Sequence, residues 1–204
     1  MYTLPLHNGV DFNGDAVPDV IVGSPEARAG LQGPEGKEGY PRTGTVYVYS
    51  GTDFSLLYRF NGERGSTKAG ASSHESPQTG TSVDNIGDVF GDAIAVVPDL
   101  DGDEVPEIVI GSPRGDGKSP DGLYSSDLQD SGYVKIFSGR GGTSLVRFSG
   151  EGKGTNMGHQ ILGVPDVNGD GSTDLLIGSD LTDYGGADAG SLYWYSVRIT
   201  NPVE

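Results

Sequence analysis

Short apolar runs separated by turn residues recur along the chain in a fixed order. "VIV", "IVI" and "LLI" begin at Val20, Ile108 and Leu175. Unbroken apolar runs of this length predict strands buried on both faces. Each is followed by a β-branched and aromatic run, "TVYVYSG", "YVKIFSG" or "SLYWYSV", which predicts a partner strand. A fourth strand is expected in "SLLYRFNG" and "SLVRFSG". The first strand of each set is expected in "FGDAIAVV" from Phe90 to Val97, in "MGHQILGV", and in the weaker "YTLPLHNG" from Tyr2. No stretch holds a convincing helical period of about 3.6 residues.

The sets are copies of one unit. One constant shift lays Asp11 on Asp99, Gly23 on Gly111, Gly44 on Gly132, Gly51 on Gly139, Phe60 on Phe148 and Gly62 on Gly150, without a gap. A second shift lays Gly91 on Gly158, Pro98 on Pro165, Asp99 on Asp166 and Gly111 on Gly178; past a shortened loop, Gly132 meets Gly190. Four antiparallel strands with both sheet faces covered describe a propeller blade. The expected fold is therefore all-β, with three four-stranded propeller-type blades at 1–63, 90–153 and 154–204. A polar Ser/Thr/Gly-rich surface loop at 64–89 separates the first two. The fourth strand of the last blade should begin near Pro202, so that blade lacks its outer strand.

Propellers close with roughly four to eight blades. Three blades imply an open array, or one completed by other chains. The chain is then either a piece of a longer polypeptide or a subunit that self-associates. An exposed edge would accept a strand or blade from a neighbour, and a head-to-tail contact that fails to close builds a filament.

Between the first two strands of each unit lies an acidic loop. In the middle copy Asp99, Asp101 and Asp103 alternate, the carbonyl of Val105 stands at the seventh position and Glu107 at the ninth. Alternate side chains of a tightly curved loop converge on one point, and hard oxygen donors in this number suit Ca²⁺. Gly102 permits the left-handed turn, and Pro106 biases Val105 toward extended geometry at the strand entrance. The first loop offers Asp11, Asn13, Asp15, the Val17 carbonyl and Asp19. The third offers Asp166, Asn168, Asp170, the Ser172 carbonyl and Asp174. Three calcium sites are expected, the four-acid middle one strongest. The EF-hand pattern differs: its glycine and last carboxylate fall later and a helix follows. Acidic turns without metal are the plain alternative, but carboxylates crowded into one turn repel one another.

Composition supports a cation partner. The 29 acidic and 13 basic residues give a net charge of −16, which repels phosphates and argues against nucleic acid. There are 35 Gly, 12 Pro and no Cys, so the chain is turn-rich and metal, not disulfide, is its available staple. No apolar run reaches membrane-spanning length. The opening "MYTLPLHNGV" lacks the basic patch and long apolar core of a signal peptide.

Phe90–Gly91, the acidic loop and "GSP" at Gly111–Pro113 resemble the FG-GAP repeat, the blade unit of the integrin alpha-chain propeller. The resemblance spans nearly the whole chain. It implies four-stranded blades with calcium held between the first two strands, and an extracellular home, secreted or at the cell surface. Tyr2–Thr3 and Met157–Gly158 depart from Phe-Gly, and "GSD" replaces the last "GSP". A fold of this kind does not by itself imply a ligand.

Other motifs add little. Arg114–Asp116 spells "RGD" in a Gly/Pro-rich loop, expected to be solvated. His7, His74 and His159 are scattered and expected to be structural or exposed. No nucleophile elbow or Cys nucleophile is present. Tyr47, Tyr49, Tyr193, Trp194 and Tyr195 are expected to pack between blades, with a sugar-stacking face as the alternative. The leading expectation is a non-enzymatic, calcium-stabilised structural or adhesion protein. The alternatives are a carbohydrate- or protein-binding module, and an accessory fragment of a secreted hydrolase or lyase.

Overall fold

A computed structural model describes residues 6–27, 43–63, 74–75, 82–83, 87–119, 125–183 and 185–199. The first blade is a four-stranded antiparallel sheet of β1 (Leu6–Val10), β2 (Asp19–Ser24), β3 (Thr45–Tyr49) and β4 (Leu56–Asn61), in that spatial order. Within the 64–89 insert, β5 (His74–Glu75) and β6 (Ser82–Val83) form a small separate pair. The second blade repeats the first with β7 (Ile94–Val97), β8 (Glu107–Ser112), β9 (Tyr133–Phe137) and β10 (Ser144–Ser149). The third contains β11 (Met157–Val164), β12 (Asp174–Ser179) and β13 (Ser191–Ser196). The stretch from Pro202, where a fourth strand was expected, lies outside the described residues, as do Tyr2–Thr3.

Register is shared. The row His7–Ile21–Val48 crosses the first sheet, Ala95–Val109–Ile136 the second and Leu162–Leu176–Trp194 the third. Two hydrophobic clusters lie between the sheets. The first joins Ile21, Val46 and Val48 to Phe90, Ile108 and Ile110 of the next blade. The second joins Val109, Val134 and Ile136 to Met157, Leu175 and Ile177. The second blade thus covers the forward face of the first, and the third covers the forward face of the second.

Continuous apolar runs predict middle strands buried on both faces, and β8 is buried throughout. By contrast, β2 alternates, with Ile21 buried and Val20 and Val22 half-buried. In β12, Leu175 and Ile177 are buried while Leu176 is half-buried. The parities are opposite because the outer blades each lack one neighbour among the described residues. Phe90 and Gly91, expected within a strand, form the turn before β7. Phe90 is fully buried there and packs edge-on to Phe137.

Glycine is required where the next blade crosses. Gly44 (φ +81°) and Gly132 (φ +78°) receive the entering chain: a Cβ would sit 2.2 Å from the Phe90 or Met157 carbonyl oxygen. The amides of Phe90 and Met157 donate to the carbonyls of Thr43 and Ser131 at 3.0 and 2.9 Å. Asp88, at the end of the insert expected on the surface, is buried at this junction.

Candidate metal centre

The three acidic loops fold alike. The first Asp of each accepts from three successive amides: Asp11 from Gly14, Asp15 and Ala16; Asp99 from Gly102, Asp103 and Glu104; Asp166 from Gly169, Asp170 and Gly171. These amides hold the loop as a tight cup, with Gly102 at φ +84°. The sixth position is also left-handed, at Ala16 (φ +68°) and Glu104 (φ +69°), where a non-glycine residue is strained.

The fifth-position Asp accepts from the seventh amide: Asp15 from Val17, Asp103 from Val105, Asp170 from Ser172. Its other oxygen is reached by a serine just beyond the third strand or at its end: Ser50, Ser138 or Ser196. The ninth-position acid turns inward. Asp19, Glu107 and Asp174 are all buried, and accept from the amides of Phe12, Leu100 and Val167 respectively. In the first two loops the residue next to the first Asp packs toward a blade interface, Phe12 buried and Leu100 partly so, whereas Val167 is exposed.

In the middle loop, Asp99, Asp101, Asp103 and Glu107 each present an oxygen within 4.8 Å of the others. Burial pushes the Glu107 carboxyl up to about 7; the Leu100 and Asp101 amides oppose this, and Asp101 and Asp99 add repulsion. Burial also raises Asp99, but the Glu104, Gly102 and Asp103 amides outweigh it and hold Asp99 below its ordinary value. Four hard oxygens thus meet where one carboxylate is poorly compensated, a donor set that fits Ca²⁺.

The outer loops differ at two of the four acid positions, with Asn in place of Asp101 and a shorter Asp in place of Glu107. Asn13 and Asn168 each donate to the fifth-position carboxylate, Asp15 at 3.0 Å and Asp170 at 2.9 Å. That amide satisfies internally what an ionised Asp101 cannot. Thr52 chiefly holds Asp15 low, and Ser196 does so for Asp170. In the third loop one oxygen of the buried Asp174 has no hydrogen-bond partner. In the first loop both Asp19 oxygens are engaged, by Phe12 and Gly51.

A second charged cluster, which sequence reasoning missed, closes the junction between the first two blades. Glu63, just past β4, meets Lys118 at 3.0 Å, Lys135 at 2.5 Å and Arg147 at 3.5 Å, all from the second blade. Burial opposes ionisation of Glu63, but Lys135, Lys118 and Arg147 hold it down at about 2. The Glu63 amide donates to the Tyr133 hydroxyl, which donates to Asp88 at 2.9 Å. Burial pushes Asp88 up to about 8, against the Tyr133 hydrogen bond.

The "RGD" stretch is not solvated as expected. Asp116 is buried and accepts from the Asp130 amide at 3.0 Å, because the loop folds under β9. His159 is half-exposed and bonds Asp92 through Nδ1 at 2.8 Å. The side chains of His7 and His74 lie outside the described residues. Tyr193 and Tyr195 pack toward the second blade, Tyr47 and Tyr49 stack on the rear of the first, and Trp194 stands exposed.

Comparison with known proteins agrees with the repeat. The FG-GAP repeat family model matches residues 6–49, 90–137 and 157–194. Integrin alpha-V of Gallus gallus is 28% identical over 193 residues, covering 93% of this chain and 15% of its own length. Integrin alpha-4 of Xenopus laevis is 26% identical over 174 residues, covering 85% of this chain and 14% of its own. Among solved structures, the exotype rhamnogalacturonan lyase YesX aligns with a TM-score of 0.39 at 16% identity, over 96% of this chain and 32% of its own. The chain thus spans about one seventh of the length of these integrin alpha chains.

Proposed function

The chain belongs to the FG-GAP repeat family, and from that premise we propose that it is a calcium-stabilised, non-enzymatic structural or adhesion module of the extracellular space. The observation that carries this reading is the meeting of four acid oxygens, from Asp99, Asp101, Asp103 and Glu107, within 4.8 Å at the junction of β7 and β8. The Val105 carbonyl is the fifth ligand in this reading. Asp11, Asn13, Asp15, Val17 and Asp19 form the corresponding set in the first loop; Asp166, Asn168, Asp170, Ser172 and Asp174 form that of the third. The extracellular home rests on kinship with integrin alpha chains.

Bound calcium supplies positive charge where the fold gathers negative charge, so its binding free energy adds to folding free energy. The chain's own residues do the rest. Amides at the fourth to sixth positions pre-shape the cup, and the buried ninth-position acid ties it to the second strand. Thermal unfolding in calcium, in chelator and in magnesium tests the reading. Calcium should raise the melting temperature and magnesium restore little of it, since Mg²⁺ demands a smaller octahedral shell. Superimposable melting curves in calcium and chelator would defeat it.

A further inference from the structure

We propose that Arg140 is a resident counter-ion of the middle acidic loop: its guanidinium offsets one of the four acid ligands, so that this loop fills in the same calcium range as the outer two. The inference rests on the calcium reading of these loops. The observation is a substitution within an internal pattern. In each outer loop an asparagine donates to the fifth-position acid, Asn13 to Asp15 at 3.0 Å and Asn168 to Asp170 at 2.9 Å. The middle loop holds Asp101 at that place, and an ionised carboxylate has no proton to donate. A donor arrives instead from outside the loop. Arg140, just beyond β9, reaches the Asp103 carbonyl with Nε at 3.1 Å and Nη2 at 2.6 Å. The same guanidinium stands 4.0 Å from the Asp103 carboxylate, which also accepts from the Ser138 hydroxyl at 3.0 Å.

The first blade anchors the root of this arm. The hydroxyl of Tyr58, on β4, donates to the Arg140 carbonyl at 2.6 Å. Gly142 lies against the Tyr58 ring, where a Cβ would sit 3.0 Å from Cδ1. Tyr58 feels two of the loops at once. Burial raises its hydroxyl, the charges of Asp19 and Asp103 add to that, and Arg140 opposes it. In the repeat register, the counterparts of Arg140 are Thr52 and Arg198. Thr52 gives Asp15 a neutral hydroxyl at 2.8 Å, and Arg198 stands exposed. The arginine contact thus falls on the loop that carries the extra acid.

An arginine stays charged at every pH the fold meets, so its effect is constant. Without metal, it lessens the repulsion among Asp99, Asp101, Asp103 and Glu107, whose oxygens gather within 4.8 Å. With metal, it repels the ion. Four acid ligands less one guanidinium leave a net charge of −3, which the outer loops carry in Asp11, Asp15 and Asp19 and in Asp166, Asp170 and Asp174. Ligand charge is one of the two main determinants of a calcium loop's affinity, rigidity being the other. The middle loop therefore binds alongside its neighbours and not far ahead of them.

Three glycine amides read the loops separately. Gly14, Gly102 and Gly169 each donate to the first Asp of their own loop, so their signals in a nitrogen–proton correlation spectrum follow a calcium titration loop by loop. In the parent chain the three apparent affinities should agree within about tenfold. Arg140→Gln should tighten calcium at Gly102 by roughly three- to tenfold, with Gly14 and Gly169 unmoved. Arg140→Lys keeps the charge and should stay within about twofold of the parent at Gly102. Unchanged or weaker binding at Gly102 in Arg140→Gln overturns the proposal. So does a Lys variant that tightens as much as the Gln variant, or a parent middle loop already far ahead of the other two. A second arm needs no metal. In chelator, Arg140→Gln should melt below the parent, by a margin that grows as salt is lowered; superimposable melts there overturn the counter-ion. If calcium moves none of the three amides in the parent while the chelator margin appears, the metal reading fails and the counter-ion stands in the metal-free loop.

Discussion

Glu107 is the residue on which the middle loop's energetics turn. Its carboxyl is buried and pushed up to about 7, so without a cation burial penalises its ionised form. Glu107→Gln removes that cost and one ligand charge together. We expect the variant to melt at or above the parent in chelator and below it in calcium, a reversal that differential scanning calorimetry reads directly. Asp101→Ala should lose most of the calcium response of this loop. At a calcium concentration a hundredfold above the dissociation constant the response is about 2.7 kcal/mol, or roughly 5–10 °C for a chain of this size. Glycine substitutions separate strain from crowding. Gly169 is left-handed with open space around it, so Gly169→Ala should cost about 1 kcal/mol. Gly132 is left-handed and pressed against Met157, so Gly132→Ala should cost about 3 kcal/mol or more by chemical denaturation.

At the scale of strands and junctions, two acids give opposite pH responses. Glu63 is held at about 2 against an ordinary 4.5. A lowered acid stabilises the fold above its unfolded pKa, and that stability drains away as pH falls from 4.5 toward 2. Asp88 is raised to about 8 from 3.8. A raised acid favours the fold at low pH, and stability is lost as pH rises from 3.8 to 8. Glu63→Gln should therefore remove part of the acid limb of the melting-temperature profile, while Asp88→Asn should flatten the neutral limb and raise stability near pH 7. Neither acid could be singled out in the sequence. Glu63 gathers Lys118, Lys135 and Arg147 from another blade, contacts with no local periodic signature. The strands were legible, because β2, β8 and β12 carry unbroken apolar runs and a repeated glycine frame. The Phe90–Gly91 turn was less so, since an apolar residue anchored in a turn scans like one in a strand. The three acidic loops were legible through their alternating Asp and Asn. The burial of Asp116 was hidden because a tripeptide says nothing of the fold around it.

Across the described residues, the hydrophobic clusters join each blade to the next, so stability should fall off from the centre outward. Hydrogen exchange should find the greatest protection in β8, which is buried along its whole length, and less in β4 and β13, whose outward positions are exposed. Equal protection across the three sheets would contradict this one-dimensional organisation. The two glycine crossings carry a last implication. Gly44 with Phe90 and Gly132 with Met157 make the same joint, down to the amide-to-carbonyl bonds of 3.0 and 2.9 Å. A unit duplicated between them in the gene would arrive with both flanks already shaped for its neighbours. Such a polypeptide can lengthen or shorten by whole modules without redesigning a single seam.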